Sequence, residues 1–316
     1  MYLTSRPATL EDLDTVFPYV QARLAMPHKD KARYVKFWSA LLSEADCIAP
    51  VILDRDLSKT PQVAFGLTFL IPQEIADTLM EDAPPYPWRW MLARWERNGA
   101  FWEPKKAARL SHARHGANIF ALCYGFDALR YDKAQTNKIR ETLSVAFQKH
   151  LMRQRARTFL EEVYGEEERD RFVTFGLEVL RDYSQHFKEN GNAPILTMER
   201  PYFMGADFFR TAKEREHMET VVGKQAMMGP PRFFFKAADQ EVLSLAEDGA
   251  TDEAIAEKLH LSVAAIKKRW QAIYARVEAV DPQLFLKDEP AKNAGPQRRS
   301  LLLGIMREHP EEYWPN

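Results

Sequence analysis

Residues 116–127, GANIFALCYGFD, carry no charged side chain before the final aspartate. A mainly apolar run of this length predicts a buried strand. A helical pattern follows over about residues 134–154, and the run RTFLEEVYG at residues 157–165 predicts a second strand. This succession of strand, helix and strand indicates an α/β or α+β class.

The same alternation extends to both sides of this segment. Upstream, the apolar spacing predicts a strand over residues 63–71 and helices over residues 5–24, 30–42 and 88–97. Downstream, it predicts a short helix and two further strands, over residues 166–175, 177–187 and 194–203. We therefore expect residues 1–205 to form one α/β domain.

Composition limits what the protein surface can bind. The chain has 316 residues, 46% hydrophobic side chains and a formal net charge of -1. This balance argues against a surface that coats nucleic acid or membrane everywhere, so any such binding is local. The two cysteines form no CxxC pair, which fits a reducing compartment. Without a signal-like start or a membrane-spanning apolar stretch, the sequence predicts a cytoplasmic protein with no membrane partner.

The pattern changes after residue 205, where a charged helix leads to the sequence MMGPP. Because Gly and Pro interrupt regular structure, we expect a linker over residues 206–231. Three short helices follow, and Thr251 and Ser262 are suitable N-caps for the second and third. Two capped helices joined by a tight turn predict an all-α helix-turn-helix domain over residues 232–280.

The third of these helices, residues 262–277, holds four basic residues and no acidic one. At ~100° per residue its large apolar side chains share one face: Ile266, Trp270, Ile273 and Val277. Small and basic side chains lie away from that face: Ala264, Lys267, Lys268, Gln271 and Ala275, with Ala265, Arg269 and Arg276 on the flank. Such a surface suits insertion into a DNA major groove, and a merely solvated helix face is the alternative.

Residues 238–277 resemble the LuxR-type helix-turn-helix, with matches that include Gly249, Thr251, Ile255, Ala256, Ser262 and Lys267. The resemblance implies a set of DNA-binding residues: Ser262, Ala264, Lys267, Lys268, Arg269, Gln271 and Arg276. Within it, the lysines and the glutamine would face bases, and the serine and arginines would face the DNA backbone. His260 stands where the family often has glycine, so a left-handed backbone there would have a cost.

The chain continues beyond this pattern as a C-terminal extension, residues 281–316. Four apolar side chains of the extension lie roughly on one face of a short helix: Leu301, Leu302, Ile305 and Met306. The helix either packs back on its own domain or forms a dimer contact. A homodimer is expected, because modules of this kind usually bind two half-sites.

The N-terminal region resembles a GNAT-type acetyltransferase at its two ends. The matching segments are SRPATLEDLDTVF, residues 5–17, and the strand, short helix, glycine and strand around Gly176. The resemblance implies a GNAT-like fold. Acetyl-CoA binding in that family depends on a glycine-containing loop at the start of the central helix, where backbone N–H groups bind pyrophosphate. The corresponding residues 129–147 contain no glycine, so we expect a degenerate GNAT-like domain with no cofactor.

Other candidate sites have structural explanations. His112 and His115 lack a nearby acidic or Cys partner, so they are predicted to be a surface pair, and no metal site is expected. The acidic cluster within residues 161–168 is interpreted as a solvated edge. The aromatic residues near Trp88 and Trp95 are interpreted as core packing, with an apolar effector pocket as the alternative.

Taken together, these features predict a sequence-specific DNA-binding transcription regulator whose N-terminal domain regulates or dimerises it. The expected partners are double-stranded DNA, a small-molecule effector and a second copy of the chain. No catalytic residue is assigned, and a non-enzymatic role is favoured. Two alternatives are a GNAT-like N-acetyltransferase with an appended helix-turn-helix module, and a protein-interaction module that binds no DNA.

Overall fold

The computed structural model describes residues 1–23, 30–43, 47–57, 59, 61–99, 116–126, 130–183, 201–214, 218–285 and 294–314. The chain divides into two compact units. The first comprises Met1–Leu151 and Ala156–Met227, and the second comprises Met152–Arg155 and Met228–Asn316. No helix among the described residues has the length and apolar character needed to cross a membrane.

The first unit is built on one mixed sheet that has eight strands within the described residues. These are β1 (Leu3–Pro7), β2 (Cys47–Ile48), β3 (Pro50–Asp54), β4 (Gln62–Ile71), β5 (Ala117–Phe126), β6 (Ala156–Tyr164), β7 (Glu178–Asp182) and β8 (Pro201–Asp207). Their spatial order is β1-β3-β4-β5-β6-β8-β7, and β2 also pairs with β4. Strands β5 and β6 run parallel, while the other described pairs are antiparallel.

Eight described helices flank this sheet or follow it in the first unit. They are α1 (Leu13–Arg23), α2 (Lys31–Leu42), α3 (Gln73–Asp82), α4 (Pro87–Asn98), α5 (Lys133–Leu151), α6 (Glu166–Thr174), α7 (Phe208–Glu214) and α8 (Val221–Ala226). The predicted helices at residues 30–42 and 88–97 are confirmed as α2 and α4, and the predicted strand at 63–71 is confirmed as β4. The predicted helix at residues 5–24 begins too early, because Leu3–Pro7 pairs with β3 as a strand.

The two faces of the sheet carry different apolar clusters, and β6 contributes to both. Leu160 and Tyr164 pack with residues of α1, α2, α3 and α4 on one face. Phe159 and Val163 pack on the other face, in a cluster that includes Phe208 of α7. Because strand side chains alternate between faces, consecutive residues of β6 serve opposite sides of the sheet.

Residues 201–227 are more regular than the sequence indicated. The last strand, β8, extends from Pro201 to Asp207 between β6 and β7, whereas it was predicted at residues 194–203. The stretch predicted as a linker, residues 206–231, contains α7 and α8, and both contribute apolar residues to the core. Phe208 and Val222 are 5% and 4% exposed, so burial of apolar surface holds this segment against the first unit.

The second unit is helical in its described residues: α9 (Ala237–Glu247), α10 (Asp252–Lys258), α11 (Val263–Val280) and α12 (Ala294–Glu308). Both predicted caps are confirmed, because Thr251 accepts a hydrogen bond from the Ala254 N–H and Ser262 accepts one from the Ala265 N–H. The turn between α10 and α11 places His260 at φ 53°, in the left-handed region. The sequence anticipated this strain at a position where glycine is favoured.

The C-terminal extension packs within its own unit. Leu302, Leu303 and Met306 of α12 are buried in the same apolar cluster as α9, α10 and α11. Glu312 accepts hydrogen bonds from the N–H groups of Arg232 and Phe233 at 2.6 and 2.9 Å. Of the two roles considered for this helix, the structure shows packing against its own domain, while Leu301 stays 38% exposed.

Helix α1 lies so close to β5 that Gly125 leaves no room for a side chain. A Cβ at Gly125 would lie 2.8 Å from both the Tyr19 carbonyl carbon and the Val20 nitrogen. We predict that Gly125→Ala lowers the free energy of unfolding by about 1–3 kcal/mol, because backbone atoms have to shift. Urea denaturation followed by circular dichroism measures this change.

Gly229→Ala is the control, since a Cβ at Gly229 meets no atom within 4 Å. Equal midpoints for the two variants would show that α1 does not depend on this close approach.

Candidate active site

The parallel strands β5 and β6 pair over only part of their length. Their pairing extends from Ala117–Ala156 to Ala121–Glu161. Beyond that point β5 continues beside β4 to Phe126, and β6 continues beside β8 to Tyr164. The sheet therefore opens between β5 and β6 just after Glu161, and we call this opening the split.

Two consecutive carboxylates of β6 lie at the split on opposite faces of the sheet. Glu161 lines a cavity on the face of α5 and α6. Glu162 contacts Tyr164 on the opposite face. The acidic cluster was predicted to be a solvated edge, and this is wrong for three of its members: Glu161, Glu162 and Glu168 are 4%, 7% and 4% exposed. Glu166 and Glu167 are exposed as predicted.

Glu162 belongs to a buried chain of hydrogen bonds. The Tyr164 hydroxyl donates to a Glu162 carboxylate oxygen, and Trp88 Nε1 donates to the Tyr164 oxygen at 3.1 Å. Burial raises the pKa of Glu162 to about 8; hydrogen bonds from Tyr164 and the Tyr86 backbone, and the charge of Arg89, offset part of that effect. Glu162 can thus take up and release a proton near neutral pH.

The aromatic segment near Trp88 was interpreted as core, and this is confirmed. Trp88 is 2% exposed and packs against Tyr34 with ring centroids 5.5 Å apart. Its indole N–H also reaches the Glu162 and Tyr164 pair, which the sequence analysis did not anticipate. Burial drives the pKa of the Tyr164 hydroxyl well above its ordinary value, so Tyr164 acts as a donor toward Glu162.

The cavity on the other face has a volume of about 110 Å³. Apolar side chains from β6, α5, α6 and α8 form most of its wall, including Leu143, Phe147, Phe159, Phe172, Phe175 and Val222. Its polar end is a closed cluster. Arg140 and Arg171 approach Glu168 at 3.2 and 3.0 Å, and the Tyr124 hydroxyl donates to Glu168 at 2.7 Å. This cavity suits an apolar chain better than a highly charged group.

The N-terminal end of α5 is capped by its own side chains. The Asp132 carboxylate accepts a hydrogen bond from the Gln135 N–H at 2.8 Å. In return, the Gln135 side-chain oxygen accepts from the Asp132 N–H at 3.1 Å. This reciprocal arrangement satisfies a backbone N–H that would otherwise point out of the helix end.

The predicted core face of the third helix is confirmed in α11, where four side chains are buried: Ile266, Trp270, Ile273 and Val277. Six of the seven residues predicted to bind DNA are exposed: Ser262, Ala264, Lys267, Lys268, Gln271 and Arg276. Arg269 is half-buried, and three of the seven also take part in contacts within the second unit. Ser262 caps α11, Arg269 lies 3.7 Å from Asp239, and Arg276 donates to the Phe233 carbonyl oxygen at 2.7 Å.

No metal site emerges from the described part of the chain, which holds no group of three His, Cys, Asp or Glu side chains suitable for a metal ion. His112 and His115 lie outside the described residues. The predicted surface pair therefore stays a prediction.

Comparison with known proteins found no matching family model and no matching curated protein. Among solved structures, the C-terminal condensation domain of Ebony in complex with β-alanyl-dopamine aligns with a TM-score of 0.38 at 12% identity, over 66% of this chain and 99% of that chain. Arylalkylamine N-acetyltransferase 7 of Aedes aegypti aligns with a TM-score of 0.38 at 9% identity, over 65% of this chain and 87% of that chain. Arabidopsis thaliana NAA60 in complex with acetyl-CoA aligns with a TM-score of 0.36 at 12% identity, over 65% of this chain and 98% of that chain.

The predicted α/β class of the N-terminal region is confirmed by the mixed sheet with its flanking helices. The more specific GNAT-like fold stays a prediction. The prediction of a DNA-binding transcription regulator of LuxR type is wrong: the solved structures that align with this chain include N-acetyltransferases, and no family model matches the chain. A basic helix surface beside small side chains is equally compatible with plain solvation, the alternative considered for α11.

A GNAT-like fold would imply acetyl-CoA, and the start of α5 carries a carboxylate where the resemblance would put its pyrophosphate. The Gln135 N–H at the start of α5 is already bonded to the Asp132 carboxylate. A bound pyrophosphate would meet that negative charge and would have to displace it. Glycine, which permits close approach of a ligand to the backbone, is also missing between residues 126 and 164.

The raised pKa of Glu162 makes stability depend on pH. Between the ordinary carboxyl value of 4.5 and about 8, the folded protein holds a proton that the unfolded chain releases. The free energy of unfolding should therefore fall as pH rises through this window, by at most ~1.4 kcal/mol per pH unit from this group. We predict that Glu162→Gln removes this contribution, as measured by urea denaturation at several pH values.

Glu166→Gln is the matched control, because Glu166 belongs to the same acidic cluster but is exposed. Parallel stability curves for wild type and Glu162→Gln across pH 5–8 would contradict a raised pKa at Glu162.

Proposed function

We propose that the first unit is an N-acyltransferase that joins an acyl group to an amine at the split between β5 and β6. The observation that carries this proposal is Glu162, a buried carboxyl group one residue beyond the last β5–β6 pair, hydrogen-bonded by Tyr164. The GNAT-like sheet around it supports the proposal.

The reaction assigned to this site is the transfer of an acyl group from a thioester to an amine. The amine nitrogen forms a bond to the acyl carbonyl carbon, and the carbon–sulfur bond breaks. The Glu162 carboxylate accepts the proton that the amine loses, and the departing thiolate takes up a proton from solvent. The products are an amide and a thiol, so no oxidant or reductant is needed.

The environment of Glu162 suits proton acceptance from an amine. An ordinary carboxylate is a weak base, whereas a carboxyl group with a pKa near 8 is closer to the proton affinity of an amine. The Tyr164 hydroxyl holds the carboxylate in place, and Trp88 Nε1 holds the hydroxyl. These contacts position the base at the opening in the sheet.

We infer that the second unit is an all-α helix-turn-helix module that takes no part in this chemistry. The capped helices α10 and α11 and the left-handed turn at His260 support this architecture. The buried apolar cluster shared by α9, α10, α11 and α12 supports its independence as a folded unit.

We predict that Glu162→Gln lowers the rate of amide formation by about 10²–10⁴-fold, because the amide side chain cannot accept a proton. The assay measures release of thiol from an acyl thioester in the presence of an amine such as tyramine, with mass spectrometry of the amide product. Tyr164→Phe should shift the rising part of the pH–rate profile to higher pH, since it removes a hydrogen bond that favours the charged carboxylate.

Glu166→Gln should retain the wild-type rate. Full activity of a correctly folded Glu162→Gln protein would show that another group accepts the proton.

A further inference from the structure

We propose that the acyl donor of this site is a thioester that carries no nucleoside diphosphate and is held by its uncharged arm in the cavity between α5 and α6. This inference rests on the proposed function and names the donor class for it. Two sets of contacts carry it, one at the start of α5 and one along the cavity wall.

At the start of α5, a backbone N–H that could bind a phosphate is already occupied by a carboxylate. An anion binds at a helix N-terminus when backbone N–H groups are available to it. Here the Asp132 carboxylate already accepts from the Gln135 N–H, and the Gln135 side chain returns a hydrogen bond to the Asp132 N–H. A diphosphate would have to break both contacts and approach a carboxylate of like charge.

The two arginines of the cavity already pair with a carboxylate, although the buried Nε of each has no hydrogen-bond partner. Arg140 and Arg171 line the cavity, but the guanidinium groups of both lie within 3.2 Å of the buried Glu168 carboxylate. The Tyr124 hydroxyl completes this cluster at 2.7 Å. Recruiting either arginine to a diphosphate would leave Glu168 buried with one fewer partner, which is costly.

The remaining wall of the cavity favours an uncharged, apolar occupant. Leu143 and Phe147 of α5, Phe159 of β6 and Phe172 of α6 line the cavity. Glu161, a member of the last β5–β6 pair, also lines it. An uncharged arm in this cavity would therefore bring its reactive end to the split, where Glu162 lies on the opposite face.

Isothermal titration calorimetry on the full-length protein tests this inference with three probes: coenzyme A, pantetheine and inorganic pyrophosphate. We expect wild type to bind coenzyme A and pantetheine with dissociation constants within about threefold of each other, and to give no heat with pyrophosphate. Ser144→Phe, which fills the cavity from α5, should weaken pantetheine binding by more than tenfold while circular dichroism stays unchanged.

Two variants of Asp132 separate the effect of its negative charge from the effect of its side chain occupying the helix end. Asp132→Asn keeps a capping oxygen but removes the charge, and Asp132→Gly frees the Gln135 N–H at a cost of only a few tenths of a kcal/mol to the helix. We expect coenzyme A to bind more tightly to both variants, by about tenfold for the glycine variant, while the affinity for pantetheine stays unchanged.

Wild-type binding of coenzyme A more than tenfold tighter than pantetheine would overturn the inference, and so would a lack of binding by both. In either case the thiol-release assay still decides the proposed function. Conversely, normal pantetheine binding without amide formation from an acyl-pantetheine thioester would overturn the proposed function and leave the cavity assignment intact.

Discussion

The first unit depends on the point at which β5 and β6 stop pairing. Parallel strands share backbone hydrogen bonds only as far as Ala121 and Glu161, and each strand then follows a different antiparallel neighbour. The antiparallel pairs lie on the outer edges of β5 and β6, so beyond this point the two facing edges are left without each other as partners. The sheet therefore has an opening in its middle, with α5 and α6 on one side and Trp88 of α4 on the other.

Two adjacent carboxylates are buried at this opening because successive side chains of β6 point to opposite faces and both faces are covered. Glu161 and Glu162 cannot both turn to solvent, because each points into a packed layer. A buried charge is unfavourable unless it is neutralised or hydrogen-bonded. Glu162 meets this requirement through its hydrogen bond with Tyr164 and its raised pKa. Glu168 meets it through ion pairs with Arg140 and Arg171.

The second unit shows how a surface pattern can suggest the wrong partner. Charge and small side chains along α11 are compatible both with a groove-binding helix and with a solvated one. Two of the arginines in that pattern instead contact Asp239 and the Phe233 carbonyl group of their own unit. Helix α12, which an isolated pattern allows to be a dimer contact, completes the same apolar core through Leu302 and Met306.

The sequence by itself determined most elements and the core faces. Runs such as residues 62–71 and 117–126 are long and apolar enough to specify strands, and the Thr251 and Ser262 caps mark helix starts through local hydrogen bonds. Glu162 lies two residues from both Leu160 and Tyr164 in RTFLEEVYG, and alternate residues of a strand share a face. This spacing indicated a buried carboxylate. It was missed because five glutamates within eight residues suggest a solvated edge. Only the tertiary structure decided that both faces of β6 are covered, that β8 lies between β6 and β7, and that Trp88 reaches Tyr164 across 76 residues. These are non-local contacts, and local propensity does not encode which distant segment will supply them.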